Sequence, residues 1–271
     1  MNWSDSSLRM RRLSQPNDGR YLFVPLDHSV SDGPVVSRDG WDELVSALVL
    51  GGADAIVVHK GRARAISPHV LGRCALIVHL SASTAHAADA DAKVLVGEVE
   101  EAVRLGADAV SVHVNIGSDT EARQLADLGT VAASCATWNM PLVAMAYPRG
   151  RRIVSQHDAK VLAHVVNIAA DLGADIVKTT MAVPWERMAD VAASCPVPVI
   201  AAGGPSDGSD LVSFGRAVMT AGCAGLAVGR RVFSSAAPDL LVAALAAVVH
   251  ADHAEPEAGR DHYSSLVRSA G

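Results

Sequence analysis

At 271 residues, half of them hydrophobic but only 4% aromatic, the chain must build its core mainly from Ala, Val and Leu. Its 23 basic against 29 acidic side chains leave a net charge of −6, which argues against broad binding to nucleic acid or to an anionic membrane. Cys74, Cys135, Cys195 and Cys223 form no Cys-x-x-Cys pair, and the chain shows neither a leader-like apolar start nor a membrane-spanning run, so reduced thiols and a cytoplasmic location are expected.

Short aliphatic runs alternate with helical patterns along the chain. The first strand, predicted at 21–26, runs into Asp27-His28-Ser29 and is followed by a helix near 40–50. Strand 54–58 ends at His59, a short segment at 65–72 has no clear periodicity, and strand 75–79 ends at His79. A helix is predicted at 93–105, then a strand at 109–114 carrying His113, then a helix at 119–136. Strand 142–146 leads into Tyr147-Pro148-Arg149-Gly150, and helix 158–172 precedes strand 175–179, which contains Lys178. Helix 185–194, strand 198–202 with Gly203-Gly204-Pro205-Ser206 after it, helix 209–221, strand 225–228 with Gly229-Arg230-Arg231 after it, and helix 237–250 complete the series.

An internal repeat marks the joints. Gly-Gly-Ala-Asp-Ala-Ile-Val-Val at 51–58 recurs as Leu-Gly-Ala-Asp-Ala-Val-Ser-Val at 105–112 and as Leu-Gly-Ala-Asp-Ile-Val-Lys-Thr at 172–179, with a weaker copy, Ala-Gly-Cys-Ala-Gly-Leu-Ala-Val, at 221–228. Each copy ends a helix at Gly and starts a β-branched run. Eight such alternations favour a single α/β domain of the (β/α)8 TIM-barrel class over 1–271, with an N-terminal extension 1–19 and a polar tail 251–271 that packs loosely or serves a subunit contact. The alternative is an open α/β sheet with a recurring turn.

In such barrels chemistry sits at the C-terminal ends of the strands. Lys178 stands there in an apolar strand, where an ammonium is costly to bury and the neutral amine attacks a ketone or aldehyde; pairing with a carboxylate or gripping a phosphate is the competing role. Asp27 is placed either to shuttle protons beside that amine or to cap its loop. Tyr147 is placed to move a proton to or from a substrate hydroxyl, or simply to pack. Gly203-Gly204 and Gly229-Arg230 follow the last two strands, where barrels commonly bind phosphate. His59, His79 and His113 end consecutive strands and would serve as hydrogen-bonding contacts or hold zinc.

Taken together, Val24-Pro25-Leu26-Asp27-His28, Val58-His59-Lys60-Gly61, His113-Val114-Asn115-Ile116-Gly117, Tyr147-Pro148-Arg149-Gly150, Val177-Lys178-Thr179, Gly203-Gly204-Pro205 and Gly229-Arg230 resemble the archaeal-type class I fructose-bisphosphate aldolase family, and within it the 2-amino-3,7-dideoxy-D-threo-hept-6-ulosonate synthases. The resemblance spans about 20–235. It implies a Schiff base on Lys178 with no cofactor and no metal, Tyr147 as acid/base and Asp27 as a catalytic carboxylate. His28, His59, His113, Arg149, Gly203, Gly204, Gly229 and Arg230 become substrate contacts.

It further implies a homo-oligomer, often ten-membered, acting on small molecules: a phosphorylated ketone such as dihydroxyacetone phosphate or a deoxyketohexose phosphate, and an aldehyde, L-aspartate 4-semialdehyde, on a route to aminobenzoate-type aromatic precursors. Arg149, Arg151 and Arg152 are candidates for the acceptor carboxylate, or a solvated basic loop. Ser29, the Ser31-Asp32-Gly33-Pro34 loop and Thr179-Thr180-Met181 depart from the family pattern and leave the substrate open. A glycolytic fructose-bisphosphate aldolase, a thiolase-type acyl transferase and a non-catalytic sugar-phosphate binder remain the alternatives.

Overall fold

A computed structural model describes residues 7–14, 18–204 and 210–251; residues 1–6, 15–17, 205–209, which include the expected Pro205-Ser206, and the tail from 252 onward lie outside it. Eight parallel strands close into a barrel in chain order: β1 (Tyr21–Pro25), β2 (Ala55–Val58), β3 (Ala75–His79), β4 (Ala109–Ile116), β5 (Leu142–Pro148), β6 (Ile176–Thr179), β7 (Val199–Ala202) and β8 (Gly225–Ala227). The barrel shuts where β1 pairs with β8, in the register Tyr21↔Gly225, Leu22↔Leu226, Phe23↔Ala227. Glycine is required at 225 because a Cβ there would lie 1.9 Å from the Tyr21 carbonyl oxygen.

Side chains alternate along every strand, as the pleat demands. Tyr21, Phe23, Val57, Ile77, Val143, Met145, Ile176 and Ile200 fill the barrel, whereas Leu22, Val24, Ile56, Leu76, Val110 and Val177 point outward into the helical layer. A short helix at Leu8–Arg12 sends Met10, together with Leu13, into the interior cluster. Part of the N-terminal extension therefore plugs the barrel's lower end.

The repeated Asp ties neighbouring strands together. The Asp54 carboxylate accepts the Leu22 N–H at 2.7 Å, Asp108 that of Leu76 at 3.1 Å and Asp175 that of Leu142 at 2.8 Å. Each of the three aspartates also donates its own backbone N–H to the carbonyl of the same leucine. The weaker fourth copy has Ala224 at this place, keeping only its N–H bond, to the Val199 carbonyl at 2.8 Å.

One helix differs from expectation. The segment predicted at 93–105 is helical only over Val99–Arg104, because Val94–Leu95 pairs antiparallel with Ser81–Ala82 over the barrel mouth. The 65–72 region contains a single-turn helix at Pro68–Leu71, preceded by another single turn at Lys60–Ala63. Among the described residues no helix is long and apolar enough to cross a membrane.

Candidate active site

A cavity of about 700 Å³ opens at the C-terminal ends of the strands. All eleven residues expected there line it: Asp27, His28, His59, His113, Tyr147, Arg149, Lys178, Gly203, Gly204, Gly229 and Arg230. Lys178 shares the inward face of β6 with Ile176, paired with Met145 on one side and Ile200 on the other, and it is only 8% exposed. Tyr147 lies two residues beyond Met145 on β5, so it stands one layer nearer the mouth than Lys178.

On the opposite wall a carboxylate sits among imidazoles. Asp27 lies 3.6 Å from His28 Nδ1 and 3.8 Å from His79 Nε2. Burial pushes its carboxyl up, but the attraction of His79, of Lys178, and of His28 and His59, the rings acting when protonated at low pH, outweighs that and leaves its pKa below the ordinary carboxylate value, so Asp27 is an anion at neutral pH. Burial lowers the pKa of His28, His59 and His113, and takes His79 to about 4. The four rings are therefore neutral at pH 7.

These rings are held individually. His79 Nδ1 meets the Ser111 hydroxyl at 2.8 Å, and His113 Nε2 meets Asn115 Oδ1 at 2.8 Å. His59 packs 5.2 Å from His79, and His113 lies 5.0 Å from the Tyr147 ring. His28 stands edge-on to Phe233, with its buried Nδ1 lacking a hydrogen-bond partner among the described residues. No three His, Cys, Asp or Glu side chains among the described residues are grouped to hold a metal ion.

The rim at β7 and β8 has a different character. Gly203 has φ +85°, a left-handed conformation that side chains resist, and its N–H bonds the Ala227 carbonyl at 3.1 Å. Gly229 packs so closely that a Cβ would fall 2.5 Å from the Pro25 carbonyl oxygen. Arg230 begins the next helical turn, 4.0 Å from Asp32. The Ser31-Asp32 loop thus lies beside the expected phosphate position rather than across from it.

Of the three arginines after β5 only Arg149 lines the cavity. Its guanidinium lies 4.9 Å over the Tyr147 ring, while Arg151 is 85% exposed and paired with Asp119, and Arg152 is exposed. The sequence reading missed Asp91 and Lys93, which the 81–95 excursion brings to the cavity wall, because it placed Lys93 on a helix. The one available signal was that Lys93 is among only four lysines, Lys60, Lys93, Lys160 and Lys178. Gln156 and His157 also line the cavity and were not anticipated, while Thr180, one of the positions that depart from the family pattern, lines it too.

The chain is similar to known aldolases and synthases over most of its length. A profile of the DeoC/LacD family aldolases covers residues 21–235. The chain is 47% identical over 246 residues, 90% of each protein, to the 2-amino-4,5-dihydroxy-6-oxo-7-(phosphonooxy)heptanoate synthase of Streptomyces griseus. It is 40% identical over 259 residues, 95% of this chain and 96% of the relative, to the 2-amino-3,7-dideoxy-D-threo-hept-6-ulosonate synthase of Halobacterium salinarum. It also superposes, with a TM-score of 0.81 and 25% identity over 92% of this chain and 99% of the other, on an archaeal fructose-1,6-bisphosphate aldolase whose catalytic lysine is bound to the carbinolamine intermediate of its substrate.

Proposed function

The chain belongs to the DeoC/LacD family of aldolases, and from that premise we propose that it joins dihydroxyacetone phosphate to L-aspartate 4-semialdehyde through a Schiff base on Lys178, without a cofactor. The product name of the Streptomyces relative supports the choice of substrates. An aldol product breaks between the carbons α and β to its ketone. In a 6-oxo, 4,5-dihydroxy, 7-phosphonooxy, 2-amino heptanoate that bond joins C4 to C5, leaving a three-carbon ketone phosphate and a four-carbon amino-acid aldehyde. The Halobacterium relative's dideoxy product carries no 7-phosphate in its name, so the Gly203, Gly204, Gly229 and Arg230 rim is what favours the phosphorylated donor here.

The observation that carries the reading is the position of Lys178, 8% exposed in the cavity wall with the anionic Asp27 among its neighbours. The neutral amine attacks the donor ketone and forms a carbinolamine; loss of water leaves an iminium, an electron sink for the adjacent carbon. One proton leaves that carbon to form the enamine, whose electron pair forms the new bond to the aldehyde carbon. The aldehyde oxygen takes up one proton, so the two transfers balance, and Tyr147 is the group assigned to them. Asp27 offsets the iminium charge and serves the protons of dehydration. Hydrolysis returns the lysine amine and the product ketone.

Incubation with dihydroxyacetone phosphate, reduction by borohydride and peptide mapping should find the adduct on Lys178. No adduct, or one on Lys93 instead, overturns the Schiff-base assignment. In a separate incubation without borohydride, consumption of dihydroxyacetone phosphate on adding aspartate semialdehyde, and not glyceraldehyde 3-phosphate, is the expected choice of acceptor.

A further inference from the structure

Around the barrel β4 stands opposite β8, so the cavity has a second end, remote from Gly229 and Arg230. The side chains there carry charges of both signs. Arg149 Nη1 lies 3.4 Å from Asp91 Oδ1, and the Lys93 ammonium donates to the Ser83 hydroxyl. Lys93 and Arg149 are also the charges that act most strongly on His113, whose ring is 5.0 Å from Tyr147. This end therefore adjoins the group assigned to the acceptor's aldehyde oxygen.

The cluster is built rather than loose. The Asp91 carbonyl accepts Asn115 Nδ2 at 2.9 Å and Gln124 Nε2 at 2.8 Å, and both amide side chains are buried. The Lys93 backbone N–H bonds the same carbonyl at 3.0 Å. Two barrel-anchored amides thus fix the segment that presents Asp91 and Lys93. Burial, and then the nearby Arg149, lower the pKa of Lys93 against the opposing pull of Asp91, so an arriving anion would favour its charged form.

An α-amino acid carries a carboxylate and an ammonium on one carbon, and its complement is a cation beside an anion. We infer that Lys93 and Arg149 hold the acceptor's α-carboxylate while Asp91 holds its α-ammonium, so that this triad selects an amino-acid aldehyde. A phosphorylated aldehyde would bring a dianion against Asp91. A simple neutral aldehyde would leave Asp91 as the one near anion facing two cations. This rests on the Schiff-base aldolase reading, and it assigns specificity to residues of the 81–95 excursion.

The test uses dihydroxyacetone phosphate with three acceptors: L-aspartate 4-semialdehyde, succinate semialdehyde, which lacks only the ammonium, and glyceraldehyde 3-phosphate. Lys93→Met should raise KM by about tenfold or more for both carboxylate acceptors, the scale of one charged hydrogen bond. Asp91→Asn should raise KM about as much for aspartate semialdehyde and leave succinate semialdehyde unchanged. Borohydride trapping of the donor on Lys178 should persist in both variants. Equal effects of Asp91→Asn on the two carboxylate acceptors, no effect of either variant, or loss of trapping overturns the inference. So does a wild-type enzyme that traps the donor but prefers glyceraldehyde 3-phosphate. Failure of the wild type to trap any donor instead overturns the Schiff-base reading itself.

Discussion

His79 Nε2 stands 3.8 Å from Asp27 Oδ2 while its Nδ1 is fixed on the Ser111 hydroxyl at 2.8 Å. The imidazole therefore faces the carboxylate in a site that strongly disfavours its own charged form.

Because burial takes the His79 pKa from the ordinary 6.5 to about 4, the unfolded chain binds a proton that the folded chain refuses. Stability is then lost as pH falls from about 6.5 toward 4, and the lowered values of His28, His59 and His113 add to it with the same sign. Between pH 7.5 and 5 the His79 share is about 2 kcal/mol. Urea unfolding at the two pH values should show a smaller loss in His79→Gln than in wild type; an unchanged pH dependence would rule this out.

Tyr147→Phe keeps a ring against His113 and under Arg149 but removes the hydroxyl. The turnover rate should fall by about 10²–10⁴-fold, the range of a positioned acid/base, while the ketone adduct on Lys178 still forms. Kinetics paired with borohydride trapping separates the two steps. A loss of less than tenfold would remove Tyr147 from the proton transfer.

At Gly229 the backbone φ of −104° suits any residue, yet a Cβ would meet the Pro25 carbonyl oxygen at 2.5 Å and His28 Cε1 at 2.6 Å. Gly229→Ala must therefore move the β8 rim or the His28 ring. We expect kcat/KM to drop by about 10²-fold, as for a misplacement of about 1 Å, with the melting temperature altered far less than the activity. Wild-type kinetics in this variant would exclude the rim from donor binding.

Asp175→Ala strips the acceptor from the Leu142 N–H while the return bond from the 175 backbone to the Leu142 carbonyl survives. Leaving that buried donor unmet should cost about 1–3 kcal/mol, read as a lower urea midpoint at constant slope. A midpoint equal to that of wild type would show that the carboxylate is dispensable at this joint, as at the fourth repeat copy, where Ala224 keeps only the backbone bond.

The strands were legible because each is a short aliphatic run punctuated by Gly, and a barrel strand alternates between two apolar environments, interior and helical layer. The repeat was legible too, but its Asp read only as part of a turn. Its bond to a leucine N–H some 32 or 33 residues away depends on strand adjacency, which local pattern does not encode. The 93–105 segment was misread in part for the same reason: Val94 and Leu95 are strand only because Ser81 and Ala82 lie beside them.

The sequence by itself determined the alternating architecture and which polar groups end the strands, since periodicity and Gly placement are local properties of the chain. Closure decided the rest. Bringing β1 against β8 sets Pro25 and His28 beside Gly229, and pairing β5 with β6 sets Tyr147 one layer above Lys178. It also folded Asp91 and Lys93 against Arg149, far along the chain but 3.4 Å away at the Asp91 contact. Charges and pKa values follow from such distances and from burial, so only the tertiary structure lowered the pKa values of Asp27 and of His79 beside it and gave the cavity two chemically distinct ends.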